Sequence, residues 1–282
     1  MDVVLAETAG FCMGVDLALT RLDTLIDNAE GRPIYILGPI IHNPQVLKEY
    51  ADKGVTKVDT PEDVPGGAYA VIRAHGVPRQ VEDGLKSRDV FVKDVTCPRV
   101  KKAQLLIARH TAGGAELLLY GEADHPEVAG LVSYASHDYF VFGSPEELDR
   151  HELNPDKKYV LAAQTTQDRV LFDQIADRLS ADEKVQVEVL RTICDATRLR
   201  QAEAKRLASE VDFMVVVGGY ISGNTRRLAQ VVTDAGTPCQ HIETVVDLEL
   251  DELAGYARIG VTAGASTPRN LIDEVLDGLK SL

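Results

Sequence analysis

Apolar runs of about five residues, each closed by a polar or glycine-rich loop, recur along the chain. Between them lie stretches whose apolar residues return at helical spacing. The runs at 33–37, 69–73, 116–120, 158–162, 213–217 and 257–262 show no strict alternation of apolar and polar positions. Such runs predict strands covered on both faces, as in a parallel sheet. Shorter strands are predicted at 3–5, around 90–92 and at 185–190. Val15, Leu19, Leu22 and Ile26 share one face of a predicted helix; further helices are expected at 44–53 and from Cys194 to about 209. Alternating strands and helices of this kind predict an α/β fold with parallel sheets.

Three cysteines stand at equivalent points of this pattern. Cys12 lies between Gly10 and Gly14, after a short strand and before a helix. Cys97 follows a strand and precedes Pro98, a favoured first helical residue. Cys194 follows a strand and opens a helix. A helix start offers backbone N–H groups and a dipole that favour a thiolate. Two polar strand-end loops follow each cysteine at similar distances. His42 and His75 follow Cys12, His125 and Thr165 follow Cys97, and Ser222 and Ser266 follow Cys194. This hidden threefold repeat predicts units at 13–96, 97–192 and 193–282, with 1–12 as an N-terminal strand leading to the centre. Ligands in open α/β sheets bind beyond the carboxyl ends of the strands. A pseudo-threefold arrangement would therefore aim three thiols and six polar loops at one central cavity.

Composition narrows the function. The 282 residues carry a formal charge of −14 without a basic tract, which argues against nucleic-acid binding. No apolar run reaches the length of a membrane span, and no secretory leader is visible, so a cytoplasmic protein is expected. In that setting four cysteines point to metal binding or catalysis rather than disulfides.

Three thiolates without a paired Cys-x-x-Cys suit zinc or an iron–sulfur cluster. A cubane held by three cysteines keeps one iron open. Cys239 breaks the register and reads as a small buried side chain. Ser222, Asn224, Thr225 and Ser266, next to glycines and helix starts, suit a phosphate; singly, such residues are more often caps. Glu127, at a predicted helix start, is either a dipole-satisfying residue or a proton donor.

The motifs GFCMGV, IHNPQV, RAHGV, DVTCP, DHPEV, QTTQ, TICDAT, SGNT and GAST together resemble the 4-hydroxy-3-methylbut-2-enyl diphosphate reductases, the LytB/IspH family, over nearly the whole chain. The resemblance implies a trefoil of three α/β units around one 4Fe–4S cluster held by Cys12, Cys97 and Cys194, with one open iron. It implies that His42, His75, Ser222, Asn224 and Ser266 bind the diphosphate, with Gly223 offering its backbone N–H. His125, Thr165 and Glu127 would surround the substrate hydroxyl, with Glu127 central to proton delivery. The implied reaction is reductive dehydroxylation of the allylic diphosphate to isopentenyl and dimethylallyl diphosphate. It is the last step of the methylerythritol phosphate route. A zinc hydrolase acting on a phosphorylated substrate and a non-enzymatic iron–sulfur sensor are the alternatives. Two departures stand out: Gly223 replaces a serine frequent in the family, and Asp195-Ala-Thr-Arg198-Leu-Arg200 replaces Tyr-Ala-Thr-Thr-Asn-Arg.

A reductase of this kind needs a donor of the ferredoxin or flavodoxin type, itself acidic. Docking on an acidic chain then needs a local basic patch. Two are expected: Arg99, Lys101 and Lys102 after Cys97, and Arg198, Arg200, Lys205 and Arg206 after Cys194.

Overall fold

A computed structural model describes residues 1–253 and 255–280. Its strands are β1 (Asp2–Leu5), β2 (Ile34–Leu37), β3 (Val55–Val58), β4 (Tyr69–Ile72), β5 (Phe91–Asp94) and β6 (Glu116–Tyr120). They continue with β7 (Tyr139–Phe142), β8 (Lys158–Ala163), β9 (Gln186–Val189), β10 (Phe213–Val217), β11 (Cys239–Ile242) and β12 (Arg258–Ala263). The helices used below are α1 (Met13–Asp27), α2 (Pro44–Asp52), α3 (Arg79–Lys86), α4 (Pro98–Thr111), α5 (Pro126–Val132) and α6 (Pro145–Asp149). After them come α7 (Arg169–Ala181), α8 (Asp195–Ala208), α9 (Gly223–Asp234), α10 (Leu250–Leu253) and α11 (Arg269–Lys280). Among the described residues no helix is long and apolar enough to cross a membrane.

The expected α/β class with parallel sheets holds. The strands form three four-stranded sheets, ordered β3-β2-β4-β5, β7-β6-β8-β9 and β11-β10-β12-β1, and every pairing is parallel. The three orders are one topology repeated, with a shift. β1, which precedes Cys12, completes the sheet built by the end of the chain, as Asp2–Leu5 pairs with 258–261 of β12. Each sheet thus ends in the strand that leads into a cysteine: β5 into Cys97, β9 into Cys194 and β1 into Cys12.

Central strands are buried on both faces, which explains their unbroken apolar runs. Leu117, Leu119, Val160 and Ala162 pack on Ala103 and Ile107 of α4 and Val128 and Leu131 of α5. Their neighbours Leu118, Tyr120, Leu161 and Ala163 pack on Phe172, Ile175 and Leu179 of α7. Each Val, Leu, Ile or Phe side chain among them, taken fully out of water, contributes about 1.5–3 kcal/mol. The β10–β12 sheet is layered in the same way, by Ile272, Val275 and Leu279 on one face and Ala204, Leu207 and Leu228 on the other.

By its contacts the chain divides into two compact units. The first comprises 1–16, 41–50 and 195–282; the second comprises 17–40 and 51–194. The segment 41–50, with His42 and α2, therefore belongs with the β11-β10-β12-β1 sheet.

Candidate functional site

All three cysteines are anchored in the same way. The Cys97 N–H donates to the Ala74 carbonyl (2.9 Å), Cys194 N–H to Thr165 (3.0 Å) and Cys12 N–H to Ala265 (3.2 Å). Each acceptor lies in the loop after the neighbouring strand: β4, β8 and β12. Each thiol is half-buried and immediately precedes a helix, α4, α8 or α1. Cys97 is the N-cap of α4, with Pro98 at the first helical position. The bond that fixes each cysteine also fixes a loop carrying a candidate binding residue: His75, Thr165 or Ser266.

In the second unit these loops converge on a buried carboxyl. Glu127 is only 1% exposed. The Thr165 N–H donates to Oε1 (2.7 Å) and the Thr165 hydroxyl to Oε2 (3.0 Å). Burial disfavours the anion and outweighs these two bonds, raising the Glu127 pKa to about 7. His125 is the N-cap of α5, and its Nδ1 accepts from the Glu127 N–H (3.1 Å). When neutral, the ring therefore carries its proton on Nε2. The His75 ring meets His125 edge-on at 5.6 Å. Gln164 Oε1 accepts from the Glu122 N–H (3.0 Å), which joins the loop before Glu127 to the loop containing Thr165.

Behind this group, Glu82 of α3 accepts bonds from Lys86 (2.7 Å), Lys101 of α4 (3.1 Å) and the Tyr134 hydroxyl beyond α5 (3.0 Å). Burial raises the Glu82 pKa, but the three donors prevail and hold it at about 2. One carboxylate thereby links the helices that follow His75, Cys97 and His125. Neither this clamp nor the bridging role of Gln164 was evident from residue type; at Glu127 the sequence offered a dipole-satisfying residue and a proton donor as alternatives.

In the first unit the site residues gather around the start of α9. Ser222 is its N-cap and accepts from the Thr225 N–H (3.4 Å). The Ser266 hydroxyl lies 3.2 Å from the His42 carbonyl and 3.4 Å from the Ser222 hydroxyl. Gly218 has φ +144°, and a Cβ on Gly219 would stand 2.9 Å from the His42 carbonyl oxygen. The bend before Ser222 thus needs both glycines to bring the loops together. Gly223 and Asn224 are buried at the first turn of α9. The Asn224 amide nitrogen is buried with no hydrogen-bond partner among the described residues, as is that of Asn43 beside His42. Unmet buried donors of this kind cost free energy unless a ligand accepts from them. The Cys12 loop is held by α8. Arg200, 3% exposed, donates to the Thr8 and Gly10 carbonyls, and Glu203 accepts from the Glu7 and Thr8 N–H groups.

The structure therefore places Cys12, His42, Ser222, Gly223, Asn224 and Ser266 in the first unit. Cys97, Cys194, His75, His125, Glu127 and Thr165 lie in the second. His75, expected with the diphosphate residues, stands against His125. Cys239 begins β11, with its sulfur 3.5 Å from the Thr233 hydroxyl. Among the described residues no three His, Cys, Asp or Glu side chains are grouped as a single-ion site. The fit to a metal group rests instead on the donors: three half-buried cysteines, none in a disulfide, each directly before a helix.

Comparison with known proteins is consistent over the whole chain. The family described as LytB protein matches residues 3–280. A protein of Nitratidesulfovibrio vulgaris (strain DP4) named 4-hydroxy-3-methylbut-2-enyl diphosphate reductase is 53% identical over 290 residues, covering 100% of both chains. One of the same name from Geobacter sulfurreducens is 44% identical, covering 99% of this chain and 97% of its own. Among solved structures, the E-1-hydroxy-2-methyl-but-2-enyl-4-diphosphate reductase from Plasmodium falciparum superposes with TM-score 0.92 at 26% identity, over 98% of this chain and 87% of that one. A second, titled as (E)-4-hydroxy-3-methyl-but-2-enyl diphosphate reductase, the terminal enzyme of the non-mevalonate pathway, gives TM-score 0.70 at 35% identity over 100% of both chains.

Proposed function

This chain belongs to the LytB protein family, and on that premise we propose that it reduces 4-hydroxy-3-methylbut-2-enyl diphosphate at the terminal step of the non-mevalonate pathway. The carbon–oxygen bond of the allylic alcohol breaks and a carbon–hydrogen bond forms. Two electrons and two protons are consumed, and water leaves. Protonation at either end of the allyl unit gives isopentenyl or dimethylallyl diphosphate. Membership implies a metal cofactor; Cys12, Cys97 and Cys194 are the ligands we assign to a 4Fe–4S cluster with one open iron. When bound, the cluster supplies the redox equivalents and a Lewis-acidic iron. Residues 13–96, 97–192 and 193–282 are the three repeats around it, a division supported by the identical strand order of the three sheets. Four reduced cysteines suit work in the cytoplasm.

The observation that carries this reading is the buried carboxyl of Glu127, poised near neutrality. Hydroxide is a poor leaving group and water a good one, so the reaction needs an acid beside the alcohol. At neutral pH a carboxyl with a pKa of about 7 retains a proton for roughly half the molecules. The Thr165 hydroxyl, 3.0 Å from Oε2, can pass that proton on. The N-cap bond fixes His125 in one tautomer, with its other ring nitrogen as the proton carrier. His42, Ser222, Asn224 and Ser266, with the Gly223 N–H, gather around the α9 N-terminus, where the dipole favours anions, and these residues, together with His75, are the ones we assign to the diphosphate. A sensor would gain nothing from a neutral buried acid.

The test is turnover of the allylic diphosphate by anaerobically purified protein reduced with a viologen. Formation of the two isomeric products, with one water released per substrate, is expected. A loaded brown protein that binds the diphosphate without forming either product would overturn the reading.

A further inference from the structure

A groove of about 550 Å³ runs along the solvent side of α4. Thr96 and Pro98, the two chain neighbours of Cys97, form part of its wall. Arg21, Lys102 and Arg109 also line it, together with Leu105, which is 59% exposed, and Asp94, whose carboxylate is paired with Lys101 at 3.3 Å. Among the described residues none of these three cations pairs with a carboxylate. Lys101, on the same helix, is occupied by Glu82 and Asp94. The groove is therefore an apolar spot ringed by uncommitted positive charge, on a chain whose formal charge is −14.

Two other basic or hollow regions lack this combination. In the basic group after Cys194, Arg200 is buried on the Thr8 and Gly10 carbonyls and Arg206 pairs with Glu210. A cavity of about 530 Å³ at the start of β6 holds Lys157 and His151, but both are bound to Glu116.

We propose that the α4 groove, with Arg21, Lys102 and Arg109 around Leu105, is the docking surface for a small acidic electron-transfer protein. The proposal rests on the reductase reading above, since a reduction that consumes two electrons needs an outside donor. Charge complementarity identifies the partner. An acidic donor is repelled by most of this surface and attracted by these three cations. Leu105 supplies the apolar centre that protein interfaces usually place inside a charged rim. The position supplies the purpose, because the walls of the groove are the residues on either side of a candidate cluster ligand.

The test measures binding of a purified acidic ferredoxin to the loaded enzyme by fluorescence anisotropy, across a series of salt concentrations. The triple charge reversal of Arg21, Lys102 and Arg109 to Glu should weaken low-salt binding by about tenfold or more and flatten its salt dependence. Leu105→Ser should weaken binding while keeping the salt slope. Reversal of Arg198 and Lys205 on α8 should leave binding unchanged. Reduction by dithionite should be the same in all variants, which shows that the cluster and fold are intact. Wild-type binding by the triple variant, loss of binding only in the α8 variant, or no measurable association of the wild type would each overturn the proposal. Absence of diphosphate turnover with dithionite would instead overturn the reductase reading, and the binding comparison would still decide the groove.

Discussion

The α9 start and the Glu127 pocket treat their polar groups in opposite ways. Around Glu127 both carboxyl oxygens accept bonds, the neighbouring histidine caps the helix, and Gln164 ties the adjoining loops together. Around α9 the amide nitrogens of Asn224 and Asn43 are buried without partners among the described residues, and Ser222 and Ser266 contact each other at 3.4 Å. The first arrangement holds one group rigidly and tunes its proton affinity. The second keeps donors unmet, at a cost in stability that an anion would recover. A proton-transfer residue needs fixed geometry; a diphosphate cradle needs donors in reserve. Substitutions in the two regions should therefore fail differently, one in turnover and the other in affinity.

The largest effect should come from the cysteines, which we assign to the cluster. Cys12→Ser, Cys97→Ser and Cys194→Ser should each lose most bound iron and all measurable turnover, whereas Cys239→Ser should keep both. Iron and sulfide analysis of anaerobically purified protein checks this; full iron in all three variants would contradict the assignment. Next comes Glu127→Gln, which should keep the cluster and the substrate affinity yet lower kcat by about 10²–10⁴-fold. A near-normal kcat with a raised KM would erase the contrast between the two regions.

The pH profile should show the same residue at work. An acid must be protonated to donate, so kcat should fall as pH rises through about 7, by about tenfold per unit beyond it. Glu127→Gln should lack that limb, and persistence of the limb in the variant would assign it to another group. The smallest effect is expected at the cradle. Ser222→Ala or Asn224→Ala should raise KM by roughly tenfold, the value of one hydrogen bond to a charged group, with kcat little changed. Isothermal titration of inorganic diphosphate should show the same loss; a fall confined to kcat would move these residues into the chemistry.

The legible part of the fold was the buried part. β2, β4, β6, β8, β10 and β12 lie inside their sheets, so both faces are apolar and the sequence shows an unbroken run. β3, β7 and β11 are edge strands at the same place in each sheet, and none was predicted. Val55-Thr-Lys-Val and Cys239-Gln-His-Ile have half-exposed faces and read as loops. The pairing of β1 with β12 was equally hidden, because a short strand carries no mark of its partner. At the site, residue types and their register singled out the thiols, histidines and hydroxyls. The roles of Arg200, Glu203 and Glu82 were not legible, since a charged residue on a helix looks the same whether it meets solvent or a buried loop.

The shifted repeat also bears on how the protein is made. β1 pairs with β12, the last strand of the described residues and more than 250 residues further along the chain, as Leu5 lies beside Val261. At about 5–20 residues per second, β1 waits roughly 12 to 50 s for β12. The sheets β3-β2-β4-β5 and β7-β6-β8-β9 can close before β12 is made, while the third stays open until then. During that interval the Cys12 loop lacks its Ala265 acceptor, and an apolar strand is exposed to chaperones or to neighbouring chains. Deletion of β1 should therefore damage the sheet that contains β10, β11 and β12.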